Sequence, residues 1–178
     1  MSSYVKRAMH GDEKIIYMAQ LHWVIYQAGI VYVFIGAALG QFGRGFLENI
    51  FGETFAKHLG PFLTYVSLGI VLVGALLLLS AYIRQISTEL VLTNHRVIAK
   101  HGYISTTSYE LMMTKVEGAT IDQSIWGRIW GYGTLMVKGT GGGISPIDHV
   151  ARPYVFHTHL MNAIHDVHEE LKRNTIHD

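Results

Sequence analysis

Long apolar runs fill the first half of the chain, and short alternating segments fill the second. From Phe62 to Ile83 the residues are almost all apolar, and no Asp, Glu, Lys or Arg occurs between Lys57 and Arg84. A helix rises ~1.5 Å per residue and a bilayer's hydrocarbon core is ~30 Å thick, so this run predicts a spanning helix over 62–83. Lipid offers the backbone no hydrogen-bond partners, which makes helix the required conformation. An earlier run, from Leu21, is broken only by His22, Gln27 and several tyrosines, with no formal charge between Lys14 and Arg44. It is longer than the apolar core of a secretory signal and predicts a first span over about 21–41. Gly36 and Gly40 are one helical turn apart, with Gly29 two turns earlier on nearly the same face. Small residues so placed let helix backbones approach, first of all between the two spans and secondarily between copies. Between the spans, Phe46, Leu47, Ile50, Phe51 and Phe55 recur at helical spacing, which predicts a short amphipathic helix in the interface.

After Ile86 the period changes. Six strands are predicted: 87–92, 96–100, 103–113, 115–122, 134–138 and 144–150, separated by turns such as Thr93-Asn94-His95 and His101-Gly102. Short strands at this spacing imply a small antiparallel barrel or sandwich. Arg152-Pro153 ends the strand pattern, and proline suits a first helical turn. Phe156, Leu160, Ile164, Val167 and Leu171 then form one apolar stripe. Glu169 and Glu170 are spaced to pair with Arg173 on the wet side. Such a helix needs a partner, and the open end of the barrel provides one.

Composition supports this division of the chain. Of 178 residues 15% are charged, against ~25% in an ordinary soluble protein, and the mean hydropathy is +0.25. A net charge of +1 leaves no basic footprint for nucleic acid. The absence of cysteine excludes disulfides, thiolate catalysis and Cys-zinc sites. The expected organisation is a cytoplasmic N-terminal segment (1–20), a two-span hairpin (21–83) and a small domain with its C-terminal helix (84–178). Lys6, Arg7, Lys14, Arg84 and Arg96 flank the hairpin, against Arg44 and Lys57 in its loop, so both termini and the downstream domain are expected on the cytoplasmic side.

Candidate chemistry is sparse. Trp126, Arg128 and Trp130 form an aromatic and basic group, with Lys115 and Lys138 on adjoining strands. Indole rings favour the headgroup layer and cations an anionic leaflet, so these five residues are a candidate lipid-facing or partner-facing rim. The competing reading places both tryptophans inside the barrel as core. His157, His159, His165, His168 and His177 crowd the end of the chain, but only His165 and His168 share a face, a thin basis for a metal site without a third ligand. The glycines of 139–143 lack the following helix of a phosphate loop. Ser145, Glu117 and Asp122 have no evident base or oxyanion donor, and Asp148-His149 are strand neighbours that point to opposite faces. No enzyme and no cofactor is expected.

Thr93-Asn94-His95-Arg96-Val97-Ile98, Gly102, the run Gln123-Ser124-Ile125-Trp126-Gly127-Arg128-Ile129-Trp130-Gly131-Tyr132-Gly133-Thr134, and Gly139-Thr140-Gly141-Gly142 together resemble the bacterial pleckstrin-homology (PH) domain family, in its form anchored by two membrane helices. The resemblance covers about Ser87 to His165. It implies an α+β membrane protein: a transmembrane helical hairpin, then a PH-like antiparallel β-roll capped by a C-terminal amphipathic helix. It does not imply phosphoinositide binding. The function it implies is scaffolding at the membrane, with lipid, a membrane protein or a second copy as partner and no nucleic acid. An accessory subunit of a larger membrane complex, held through its spans, is the alternative. A metal- or pH-responsive switch at the C-terminal histidines ranks below both.

Overall fold

A computed structural model describes residues 13–102 and 107–177. Lys6 and Arg7 of the charge comparison, and the predicted start of a strand at Tyr103, lie outside the described residues, as do the side chains of Glu170, Leu171 and His177. The chain divides into two units: Trp23–Arg84, and a second formed by the residues up to His22 together with those from Gln85 onward.

The first unit is a helical hairpin. A 3-10 turn (Trp23–Tyr26) leads into α1 (Gln27–Phe51), and α2 runs from Glu53 to Ser87. The predicted interfacial helix between the spans does not exist as a separate element. Its residues continue α1 as far as Phe51, and only Gly52 separates the helices. Gly52 has φ +84°, a conformation that costs glycine little, and its N–H closes on the Glu48 carbonyl at 3.0 Å. At ~1.5 Å per residue both helices exceed the ~30 Å of a hydrocarbon core. The excess carries Arg44, Glu48, Glu53 and Lys57, where the charges of the hairpin collect.

The second unit holds two four-stranded antiparallel sheets. The first orders β1 (Ile15–Ala19), β2 (Glu89–Thr93), β3 (Arg96–His101) and β4 (Thr107–Met112). The second is built on β6 (Tyr132–Gly139), which pairs with β5 (Val116–Asp122), β7 (Gly142–Gly143) and β8 (Ile147–Ala151). The predicted strand over 144–150 begins only at Ile147, after Pro146, because proline cannot donate to a ladder, and the two-residue β7 stands ahead of it. A six-residue helix, α3 (Ile125–Trp130), crosses from β5 to β6, where the sequence predicts no element.

The largest difference lies at the N-terminal side. Ile15–Ala19, expected within a segment flanking the hairpin, is a full strand of the first sheet, with Ala19 opposite Leu90 and Ile15 opposite Thr93. The following residues turn to the other sheet: Ala151 N–H donates to the Gln20 carbonyl and His22 N–H to the His149 carbonyl, at 2.8 and 2.7 Å, while Leu21 bridges Val150. One short segment therefore joins the two sheets. The helical hairpin is an insertion between adjacent strands β1 and β2.

α4 (Pro153–His177) closes the roll. Phe156 and Leu160 are fully buried and Ala163 nearly so, and with Leu92, Val97, Leu135, Val137 and Val150 they belong to the core. Helix packing involves β1, β5 and β6. The apolar stripe is thus the buried face, as its spacing predicts. On the wet side Glu169 pairs with Lys172 at 3.7 Å rather than with Arg173.

Candidate functional site

Two family-like sequence runs act on the backbone. In the β2–β3 turn, Thr93 is fully buried and its hydroxyl oxygen accepts the His95 and Arg96 N–H groups, at 3.3 and 3.1 Å. The Arg96 guanidinium reaches back to Glu13, donating from Nε and Nη2 at 2.9 and 2.8 Å, and from Nη1 to Glu110 at 2.7 Å. Glu13 is itself buried and accepts from the Thr93 hydroxyl at 2.8 Å. Its hydrogen bonds raise the Arg96 pKa above the ordinary value, against the opposing effect of burial. Asn94 adds two bonds to the Lys14 backbone. The turn clamps the start of β1, a structural role.

The second run builds α3. Ser124 caps the helix by accepting the Gly127 N–H at 3.1 Å, and Gly131, at φ +76°, ends it. Gln123 donates to the Tyr132 carbonyl at 2.8 Å. A Cβ on Gly127 would lie 2.6 Å from the Tyr132 carbonyl oxygen, so only glycine lets the helix sit this close to β6. With these polar and glycine positions fixing the backbone, the apolar side chains turn outward. Ile125 is 78% exposed, Trp126 64%, Ile129 66% and Trp130 38%. The two indoles meet edge to face at 6.4 Å. Both tryptophans as barrel core is therefore ruled out. Arg128 is exposed on the same short helix, and no carboxylate occurs from Gln123 to Gly131.

The five candidate rim residues do not form one cluster. α3 joins the end of β5 at Asp122 to the start of β6 at Tyr132, whereas Lys115 precedes β5 and Lys138 lies opposite Gly118. A seven-residue strand spans ~23 Å at ~3.3 Å per residue, which puts the lysines and the aromatic group at opposite ends of one ribbon. Gly29, Gly36 and Gly40 of α1 all face α2. Cβ atoms there would stand 2.7 Å from Leu78, 2.7 Å from Val71 and 2.9 Å from Ser67.

Beside α3 is a groove of about 640 Å³ lined by Tyr17, Gln20, His22, Trp130, Gly131 and Arg152 among others. His22 stacks on Tyr132 at 5.3 Å, and Tyr132 on His149 at 5.7 Å. Burial holds the His22 imidazole below its ordinary pKa, although a hydrogen bond with the Trp130 carbonyl acts in the other direction. Sequence reasoning missed this cluster because His22 was taken as part of a span. Among the described residues no three His, Asp or Glu side chains gather as metal ligands. His168 Nδ1 contacts the Ile164 carbonyl at 2.8 Å, and His159 stacks on Tyr17 at 5.1 Å.

An antiparallel roll closed by a helix thus holds its polar motif residues in backbone geometry and turns a rigid apolar knob outward. The chain belongs to the bacterial PH domain family, whose model matches residues 30–164. The match begins inside α1 and ends inside α4, so it takes in the helical hairpin and leaves β1 ahead of it. No curated protein and no solved structure matches the chain.

Proposed function

We propose that the protein is a membrane-tethered binding module. α1 and α2 cross the bacterial inner membrane, and the PH-like roll is held at its cytoplasmic face to engage a membrane partner, a second copy or anionic lipid. The observation that carries this reading is the pair of long apolar helices placed within a PH-family domain, since only 17% and 11% of their most apolar stretches are buried. The core helix of a soluble protein would be mostly buried. Phe34, Phe42, Phe62, Leu68 and Leu76, each more than half exposed, give the hairpin an outer apolar surface that suits lipid. The mechanism is effective concentration: a tether removes most of the translational cost of meeting another membrane species, so weak contacts suffice.

The expected outcome is that the full chain stays in the pellet after alkaline carbonate washing and that protease added outside intact cells leaves the roll uncut. Release into the supernatant, or digestion from outside, overturns the reading. The accessory-subunit alternative has less support, because the glycine face it would use for a partner is turned toward α2.

A further inference from the structure

We propose that α3 is a bilayer-docking knob that seats Ile125, Trp126 and Ile129 at the boundary between headgroups and acyl chains. The inference rests on the reading that α1 and α2 span a membrane, and it names the occupant of the outward face. Three observations converge on lipid. Three large apolar side chains on a helix of six residues are each about two thirds exposed or more, and a partly exposed Trp130 adjoins them. The helix cannot turn them inward, because its cap, its left-handed Gly131 and the close approach of Gly127 to Tyr132 fix its seating on β6. The only charge on the helix is Arg128, with no carboxylate from Gln123 to Gly131, which complements an anionic leaflet and not an acid-poor protein surface. Indole with a neighbouring guanidinium is the side-chain chemistry of the membrane interface, where an apolar body needs a polar rim. A knob this small holds a free domain only weakly. On a tethered domain the same contact becomes an intramolecular equilibrium and is well populated.

The test uses the full chain in vesicles of phosphatidylethanolamine and phosphatidylglycerol. Trp23→Phe with Trp130→Phe leaves Trp126 as the sole indole. With lipids brominated near the headgroup end of the acyl chain, Trp126 emission is expected to fall at least twofold. Arg128→Gln should reduce that loss in anionic vesicles but not in neutral phosphatidylcholine. Ile125→Ser with Ile129→Ser, both at exposed positions, should restore most of the emission. Three results overturn the proposal. Trp126 could remain unquenched by bromine and open to aqueous acrylamide. It could remain unquenched by bromine yet become shielded from acrylamide as protein concentration rises, which assigns the knob to a second copy. Carbonate could extract the protein from the same vesicles, and then the spanning reading fails as well. Retention in carbonate without quenching removes the knob alone.

Discussion

Glu13 is a carboxylate buried with an arginine, and removing one member of such a pair leaves the other desolvated and uncompensated. Glu13→Gln should lower stability by about 2–3 kcal/mol, while Glu110→Gln, at the more exposed end of the same guanidinium, should cost under about 1 kcal/mol. Urea denaturation of both variants in one detergent checks the contrast. His22 supplies a pH dependence. Its folded pKa lies below the ordinary 6.5, so below that pH the unfolded chain takes up a proton that the folded chain resists. The His22 contribution is therefore present above pH 6.5 and is lost as pH falls below it. His22→Gln should show a shallower decline in thermal midpoint between pH 7 and 5 than the parent protein. Thr93-Asn94-His95 was legible as a turn, because Asn and Thr favour that geometry. The bond from Arg96 to Glu13 was not legible, since 83 residues separate the two charges and nothing local links them.

At the scale of elements, the helix periodicities were the most readable feature. The stripe of α4 and the apolar runs of α1 and α2 repeat over many turns, so single exceptions do not obscure them. α3 was unreadable for the opposite reason: six residues are too few to establish a period, and two glycines border or interrupt them. Its outward aromatic face also could not be told from a core plug, because exposure depends on how Gly127 seats the helix on β6. Gly127→Ala should strain that seating and cost about 1–3 kcal/mol, read as a lower thermal midpoint. In the hairpin, Gly36→Leu should destabilise helix association in detergent, because its Cβ would meet Val71 and the Ser67 carbonyl. Gly45→Leu, with nothing within 4 Å of its Cβ, should leave the thermal midpoint unchanged or raise it. Equal effects at both sites would contradict the packing described.

For the whole molecule, the covalent order differs from the spatial one. A fragment of residues 84–178 lacks β1, Glu13 and the segment that joins the two sheets. It should be digested by protease much faster than a chain in which residues 23–84 are replaced by a short glycine-serine loop between His22 and Gln85. The strands β2, β3, β5 and β6 were found from alternation and turns alone, yet β1 escaped notice. Its five residues precede an apolar run, and its partner lies beyond both helices.

That arrangement imposes an order on biosynthesis. β1 leaves the ribosome before the hairpin and has no partner in β2 until α1, α2 and the start of β2 have followed it. Closing a loop of this length by chance is slow and entropically costly, whereas a hairpin already assembled in lipid shortens the search. On the proposed reading that the hairpin spans a membrane, completion of the roll is coupled to that insertion: chains that fail to insert keep an unsealed sheet and present it to proteases.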